Sequence, residues 1–163
     1  MRLFRWILIW VLSRALEIKP EYVWALANRG GTYRQMGQYE AALADLSRAI
    51  EIKPEYVWAL ATRGGIYLQM GQYQAALADL TRAIEIKPDY DWAQAIRGEV
   101  YRRMGQYKAA LANLSRAIEI KPEYSWALAH RGAVYWQMGQ YEAALADLNR
   151  AIEIDPEDDW SYI

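Results

Sequence analysis

Side chains suited to covalent or acid–base chemistry are scarce in this sequence. It holds one histidine, His130, and no cysteine. That excludes thiol catalysis, disulfide scaffolds and cysteine-based zinc sites. A single histidine also falls short of a metal site, which needs several ligands, so His130 reads as a polar contact. No hydroxyl nucleophile has a histidine base repeated near it. Gly30-Gly31 is no phosphate loop, because it lies inside a helical pattern and no Lys-Ser/Thr pair follows. Glu51, Glu85, Glu119 and Glu153 fall on outward helix faces and read as solvating charges. Neither catalysis nor a cofactor is implied. Large amphipathic rings are abundant instead: 8 tryptophans and 13 tyrosines against 1 phenylalanine. Such rings dominate binding hot spots, so the chemistry on offer is recognition.

The rings are placed by a repeat. Trp24, Trp58, Trp92, Trp126 and Trp160 are each 34 residues apart, and Pro20, Pro54, Pro88, Pro122 and Pro156 keep the same step. So do Gly37, Gly71, Gly105 and Gly139. The units are residues 23–56, 57–90, 91–124 and 125–158. Residues 1–22 form a divergent half unit whose SRALEIKPEY matches the end of every repeat, and residues 159–163 open a fifth. All are expected to join in one solenoid domain. With 54% hydrophobic and 24% charged residues the chain is composed like a globular protein, and a net charge of -1 argues against a nucleic-acid partner.

Each unit reads as two helices. The first runs from about Val23 to Met36 and stops at Gly37, where glycine takes the left-handed cap conformation at little cost. The second runs from Tyr39 to Ile52, with Ala42, Leu43, Leu46, Ala49 and Ile50 in helical spacing. Pro54 then ends it, because proline has no amide hydrogen to donate. Linkers this short make neighbouring helices antiparallel. Gly30 and Ala42 lack bulk, so paired helices can approach closely there. One pair cannot bury its own apolar face, so the units must stack.

Period and framework together resemble the tetratricopeptide repeat family. The residues that carry the resemblance in every full unit are Gly30, Tyr33, Ala42, Leu46, Ala49 and Pro54, joined by Leu26, and it covers about residues 13–163. It departs at the aromatic, which stands two residues early as Trp24, at the arginines of the Arg29 column, and at Gln94. The resemblance implies an all-α, right-handed superhelical solenoid and a non-catalytic scaffold that takes a peptide or helix in a concave groove lined by the first helices. The family's lysine–asparagine clamp for a C-terminal carboxylate is absent, since the matching columns hold Ala27, Gly31, Thr62, Trp92 and Ile96.

Second helices are nearly invariant, whereas first helices vary in a few columns that share one face. Asn28 becomes Thr62, Ile96 and His130. Gly31 becomes Gly65, Glu99 and Ala133. Arg34 becomes Leu68, Arg102 and Trp136, and Gln35 becomes Gln69, Arg103 and Gln137. The expected groove residues are Trp24, Asn28, Arg34, Trp58, Thr62, Leu68, Trp92, Glu99, Arg102, Arg103, Trp126, His130, Trp136 and Gln137. Two readings stand side by side. These columns contact a ligand, or they are exposed positions drifting after duplication. The tryptophans likewise either anchor a partner or pack on the neighbouring unit. Arg29, Arg63, Arg97 and Arg131 recur with Asp45, Asp79, Asn113 and Asp147, and are expected to pair across each helix pair, contributing about 0–1 kcal/mol.

The ends break the pattern. MRLFRWILIWVL carries Arg2 and Arg5 ahead of an apolar run and looks like a short signal or anchor, yet the run is too short to span a bilayer. The preferred reading is a divergent second helix with Leu8 and Leu12 facing the first full unit and with Trp6, Ile9 and Trp10 partly exposed. An interfacial membrane segment is the lesser one. The last five residues are too short for a cap, so the chain is either an excerpt of a longer array or pairs with something. Formal charge runs from +2 in residues 1–22 to -4 in the fourth repeat, which favours head-to-tail self-association. The expected partner is a protein or peptide, in the cytoplasm. The rivals are a self-assembling module and the repeat tail of a larger signalling protein.

Overall fold

The computed structural model describes residues 2–157. Among them are nine helices and no strand: α1 (Arg2–Ile18), α2 (Val23–Gln35), α3 (Tyr39–Ile52), α4 (Val57–Gln69), α5 (Tyr73–Ile86), α6 (Asp91–Arg103), α7 (Tyr107–Ile120), α8 (Ser125–Gln137) and α9 (Tyr141–Ile154). The stub at 159–163, with Trp160, lies outside the described residues.

The glycines do what the repeat requires of them. Gly37, Gly71, Gly105 and Gly139 have φ of 71 to 74°. Each closes a first helix with a paired hydrogen-bond cap, in which the Gly37 amide donates to Arg34 O and the Gln38 amide to Tyr33 O, both at 3.0 Å. A side chain would strain this backbone even though nothing crowds it. Gly30 serves a different purpose. A Cβ there would lie 2.9 Å from Leu46 Cγ and 3.2 Å from Ala42 O, so α2 and α3 meet at a distance that only glycine allows.

The helices group into two compact units, Met1–Ile86 and Lys87–Ile163. In the first, α1 packs on α2, α2 on α3, α3 on α4 and α4 on α5. Its core holds Leu12, Leu16, Leu26, Ala42, Leu46, Leu60, Ile66 and Leu80. In the second, α6 packs on α7, α7 on α8 and α8 on α9, around Leu114, Ile118, Leu128 and Val134 with a frame of alanines. Gln94, which stands where the other repeats have leucine, is buried with its amide nitrogen 3.3 Å from Pro88 O.

Helix α1 packs on α2, and its residues run in register with the second helices of the repeats. Leu12 is buried and Leu8, in the column of the fully buried Ala42, is only half-buried. The expectation that Ile9 is partly exposed is corrected: it is buried. Arg5, Ile9, Leu12 and Leu16 share one helix face, and Arg5 Nη1 donates to Gln35 O at 2.8 Å, which holds that face against α2. Trp6 and Trp10 are exposed, as the spacing predicts.

Candidate functional site

The start of each first helix carries a pair of rings. Tyr22–Trp24, Tyr56–Trp58, Tyr90–Trp92 and Tyr124–Trp126 have centroids 5.9, 6.3, 6.0 and 6.2 Å apart. The IKPEY turn adds a cation to each pair, with the ammonium groups of Lys19, Lys53, Lys87 and Lys121 over Tyr22, Tyr56, Tyr90 and Tyr124 at 5.0 to 5.7 Å. Burial pushes the Tyr56 and Tyr124 phenols up, and for Tyr124 the nearby Asp91 and Tyr90 add to it. Both therefore stay neutral at physiological pH.

The tryptophans are not equivalent. A Cβ on Gly31 would stand 2.8 Å from Trp58 Cη2, so this ring lies directly on the preceding first helix and is half-buried. Trp92 and Trp126 are half-buried as well, and Trp126 stacks on His130 with centroids 3.7 Å apart. Trp24 is 53% exposed. It edges a cleft of about 390 Å³ whose other walls are Lys19, Glu21, Tyr22, Val23, Lys53 and Tyr56. Packing and presentation thus divide along the column: Trp58 packs, and Trp24 presents its ring to solvent.

The variable columns divide in the same way. Trp136 is exposed, with Tyr141 edge-on at 5.0 Å, and Gln137 is exposed too. Asn28 is half-buried and donates to Trp24 O at 2.8 Å, and Arg34 is half-buried. Thr62, Leu68, Glu99, Arg102 and His130, read from sequence as groove contacts, are buried instead. Thr62 donates its hydroxyl to Trp58 O at 2.7 Å, so its one proton is already engaged within the helix.

Glu99, Arg102, Arg103 and His130 form one ionic cluster in the second unit. The Glu99 carboxylate is 2% exposed. It accepts from Arg102 Nε and Nη2 at 2.6 and 2.8 Å and from Arg103 Nε at 2.6 Å, and His130 Nδ1 lies 2.9 Å away. Burial works to raise this carboxyl. The hydrogen bonds from His130 and Arg102, the His130 charge and the Arg103 bond overcome it and hold the pKa down at about 2. A buried carboxylate needs such partners, and these residues meet one another's needs. A signal for the cluster exists in the sequence. The only repeat with glutamate in the Gly31 column is followed by the only repeat with histidine in the Asn28 column.

The recurring arginines reach the recurring aspartates. Arg29 Nε and Nη2 donate to Asp45 at 2.7 and 2.8 Å, and Arg63–Asp79 and Arg131–Asp147 repeat both distances. Arg97 donates to Asn113 Oδ1 at 2.7 Å. Sequence reasoning missed a third member: Arg29, Arg63 and Arg131 also donate to Ser13, Ser47 and Ser115 at 2.9 to 3.1 Å. Each serine sits on the preceding second helix, so each of these arginines clips three helices. The bond to the aspartate raises the guanidinium pKa in all three.

Among the described residues no helix is long and apolar enough to cross a membrane. A family profile described as TPR repeat matches residues 30–71, 64–105 and 98–139. Profiles described as tetratricopeptide repeat match 125–158 and 11–44. No match was found among curated proteins. Among solved structures, MamA is similar at 26% identity and TM-score 0.79, over 91% of this chain and 87% of its own. TTC0263, a thermophilic TPR protein of Thermus thermophilus, is 24% identical at TM-score 0.81, over 92% and 82%. YrrB, described as a TPR protein with an unusual peptide-binding site, is 23% identical at TM-score 0.73, over 94% and 79%. The all-α repeat architecture is thereby shared with solved solenoids.

Proposed function

Because this chain belongs to the tetratricopeptide repeat family, whose members are typically non-catalytic interaction scaffolds, we propose that it captures a peptide or helix on the exposed rings of its first helices. The observation that carries this reading is the exposure of Trp24 above a cleft edged by Tyr22, Tyr56, Lys19 and Lys53. A half-open indole beside two tyrosines suits a bulky apolar side chain, and Lys19, Lys53 and Glu21 give the rim both signs of charge for the ligand's flanking polar groups. In the second unit Trp136, Gln137 and the outer side of Arg103 offer a separate exposed surface at the far ends of α6 and α8. Asn28, Arg34, Trp92 and Trp126 are half-buried and contribute the parts of their side chains that remain open, whereas Trp58 packs on Gly31. Thr62, Leu68, Glu99, Arg102 and His130 act beneath the surface, fixing the positions of the rings. The likeness to YrrB is one of fold, and its peptide-binding site supports the reading only as a precedent on this scaffold.

A random peptide library displayed on phage tests the proposal, selected on the intact chain and counter-selected on Trp24→Ala and Trp136→Ala. Peptides that bind the parent and lose about tenfold or more on either variant support it, as expected for a hot-spot ring. A selection that enriches nothing, or only peptides indifferent to both variants, refutes it.

Self-association is a second reading, favoured by a specific surface. Tyr141, which meets Trp136 edge-on, and Leu145 and Ile152 further along α9 are exposed, whereas the counterparts of Leu145 in earlier repeats, Leu43, Leu77 and Leu111, are half-buried. Light scattering over a wide concentration range separates the two. A monomer at all concentrations removes self-association.

A further inference from the structure

Helix α1 has two apolar faces, and only one of them is used. Leu12, Leu16 and Ile9 are buried in the first unit. On the other side Leu3, Phe4, Trp6, Ile7, Trp10 and Val11 are all exposed, Trp10 at 63% and Trp6 at 52%. A helix that is apolar all round belongs inside a protein or against a lipid phase. We infer that α1 seats this outer face in the headgroup region of an anionic bilayer, lying along the surface while its inner face holds the repeats.

The repeats themselves discriminate between occupants. Val11 stands in the column of Asp45, Asp79, Asn113 and Asp147, all buried against a first-helix arginine. A helix docked in the place of a first helix would cover that side. Trp6 stands in the column of Glu40, Gln74, Lys108 and Glu142, and Trp10 in that of Ala44, Ala78, Ala112 and Ala146. All eight of these counterparts are exposed. A docked helix would therefore leave both tryptophans in water. A broad, flat, partly apolar phase receives both sides at once, and indole rings favour the boundary between hydrocarbon and water.

Charge selects the anionic bilayer over a second copy. Helix α1 holds Arg2, Arg5 and Arg14 against one carboxylate, Glu17, a net charge of +2. Two such segments packed face to face would repel, whereas anionic headgroups attract them. Arg14 lies beside the apolar face, its guanidinium 5.9 Å from the Trp10 ring and its Nη1 donating to the exposed Glu17 Oε2 at 2.6 Å, a solvent-facing pair for which a phosphate would compete. With 17 residues and interruptions by Arg5 and Arg14, α1 lies on the membrane rather than across it.

Flotation of the intact chain with vesicles tests this, comparing phosphatidylcholine alone with phosphatidylcholine mixed with phosphatidylglycerol. The double variant Trp6→Glu, Trp10→Ala writes the residues of α3 into α1 and spares its inner face. The chain is expected to float with the mixed vesicles, poorly with the neutral ones, and less as salt rises. The variant is expected to lose about tenfold or more in bound fraction with its helical circular dichroism intact. Quenching of the unaltered chain by brominated lipid gives the same answer if the variant misfolds. Failure to float or be quenched with either vesicle overturns the inference, and so does equal flotation of a folded variant. A dimer that the variant returns to monomer, without flotation, assigns the face to a second copy and overturns it too.

Discussion

Replacing Glu99 by glutamine gives the most quantitative test of how the second unit is held together. The parent carboxyl is held at about 2 against an ordinary value of 4.5. That difference corresponds to about 3 kcal/mol favouring the ionised, folded form. A carboxyl depressed in the folded state stabilises fully above its unfolded pKa and loses that contribution as pH falls through its folded pKa. Parent stability should therefore decline between about pH 5 and pH 2 by roughly this amount from Glu99 alone. Glu99→Gln keeps the shape but leaves Arg102, Arg103 and His130 without their anion, so it should cost about 3 kcal/mol at pH 7 and flatten the acid slope. Urea unfolding followed by circular dichroism at pH 7, 4 and 2.5 measures both. Glu119→Gln is the control. Its exposed carboxylate pairs with exposed Arg116, and the change should stay within about 0.5 kcal/mol. If Glu99→Gln and parent share one acid slope, the cluster does not hold the unit as described.

Three further outcomes follow from distances in the first unit. Trp58→Ala should cost about 2 kcal/mol in urea unfolding and Trp24→Ala less than about 0.5, because one ring covers Gly31 and the other faces solvent. Gly31→Ala gains about 1 kcal/mol of helix propensity, but its methyl meets Trp58 at 2.8 Å. The collision should win by about 1 kcal/mol, and pairing it with Trp58→Leu should turn the change favourable. Asp79→Ala should cost about 2 kcal/mol, since Arg63 would lose both charge-assisted bonds and keep Ser47 and the Tyr67 ring beneath it. Equal losses for Asp79→Ala and an exposed aspartate such as Asp89 would contradict this.

The repeat made the fold legible. Gly37 needs a left-handed cap, Pro54 stops a helix and Gly30 allows close approach, and each is a local constraint that the structure keeps. The Arg29–Asp45 pairing was legible too, because both columns recur together. Its two-point geometry, the burial of the aspartate and the serine that accepts from the same arginine on a third helix were not legible from the spacing. The exposure of the variable first-helix face was legible only in part. Helical spacing puts Glu99, Arg102 and His130 on the same face as Trp24, but it does not say which positions the next repeat covers. Trp58 covers Gly31, and His130 meets Glu99 across two first helices. Ile9 was misjudged for a related reason: Leu8, oversized for the alanine column, stays half exposed, and the helix meets α2 through the row from Arg5 to Leu16.

The central claim is that partner capture uses exposed first-helix rings while their buried counterparts only pack. The indole N–H spectrum of the nitrogen-labelled chain reports on each tryptophan separately. On addition of a selected peptide, the Trp24 or Trp136 signal should shift with saturation while the Trp58 signal stays within its linewidth. A peptide that binds and moves only Trp6 and Trp10, or moves Trp58 and leaves both Trp24 and Trp136 in place, contradicts the account.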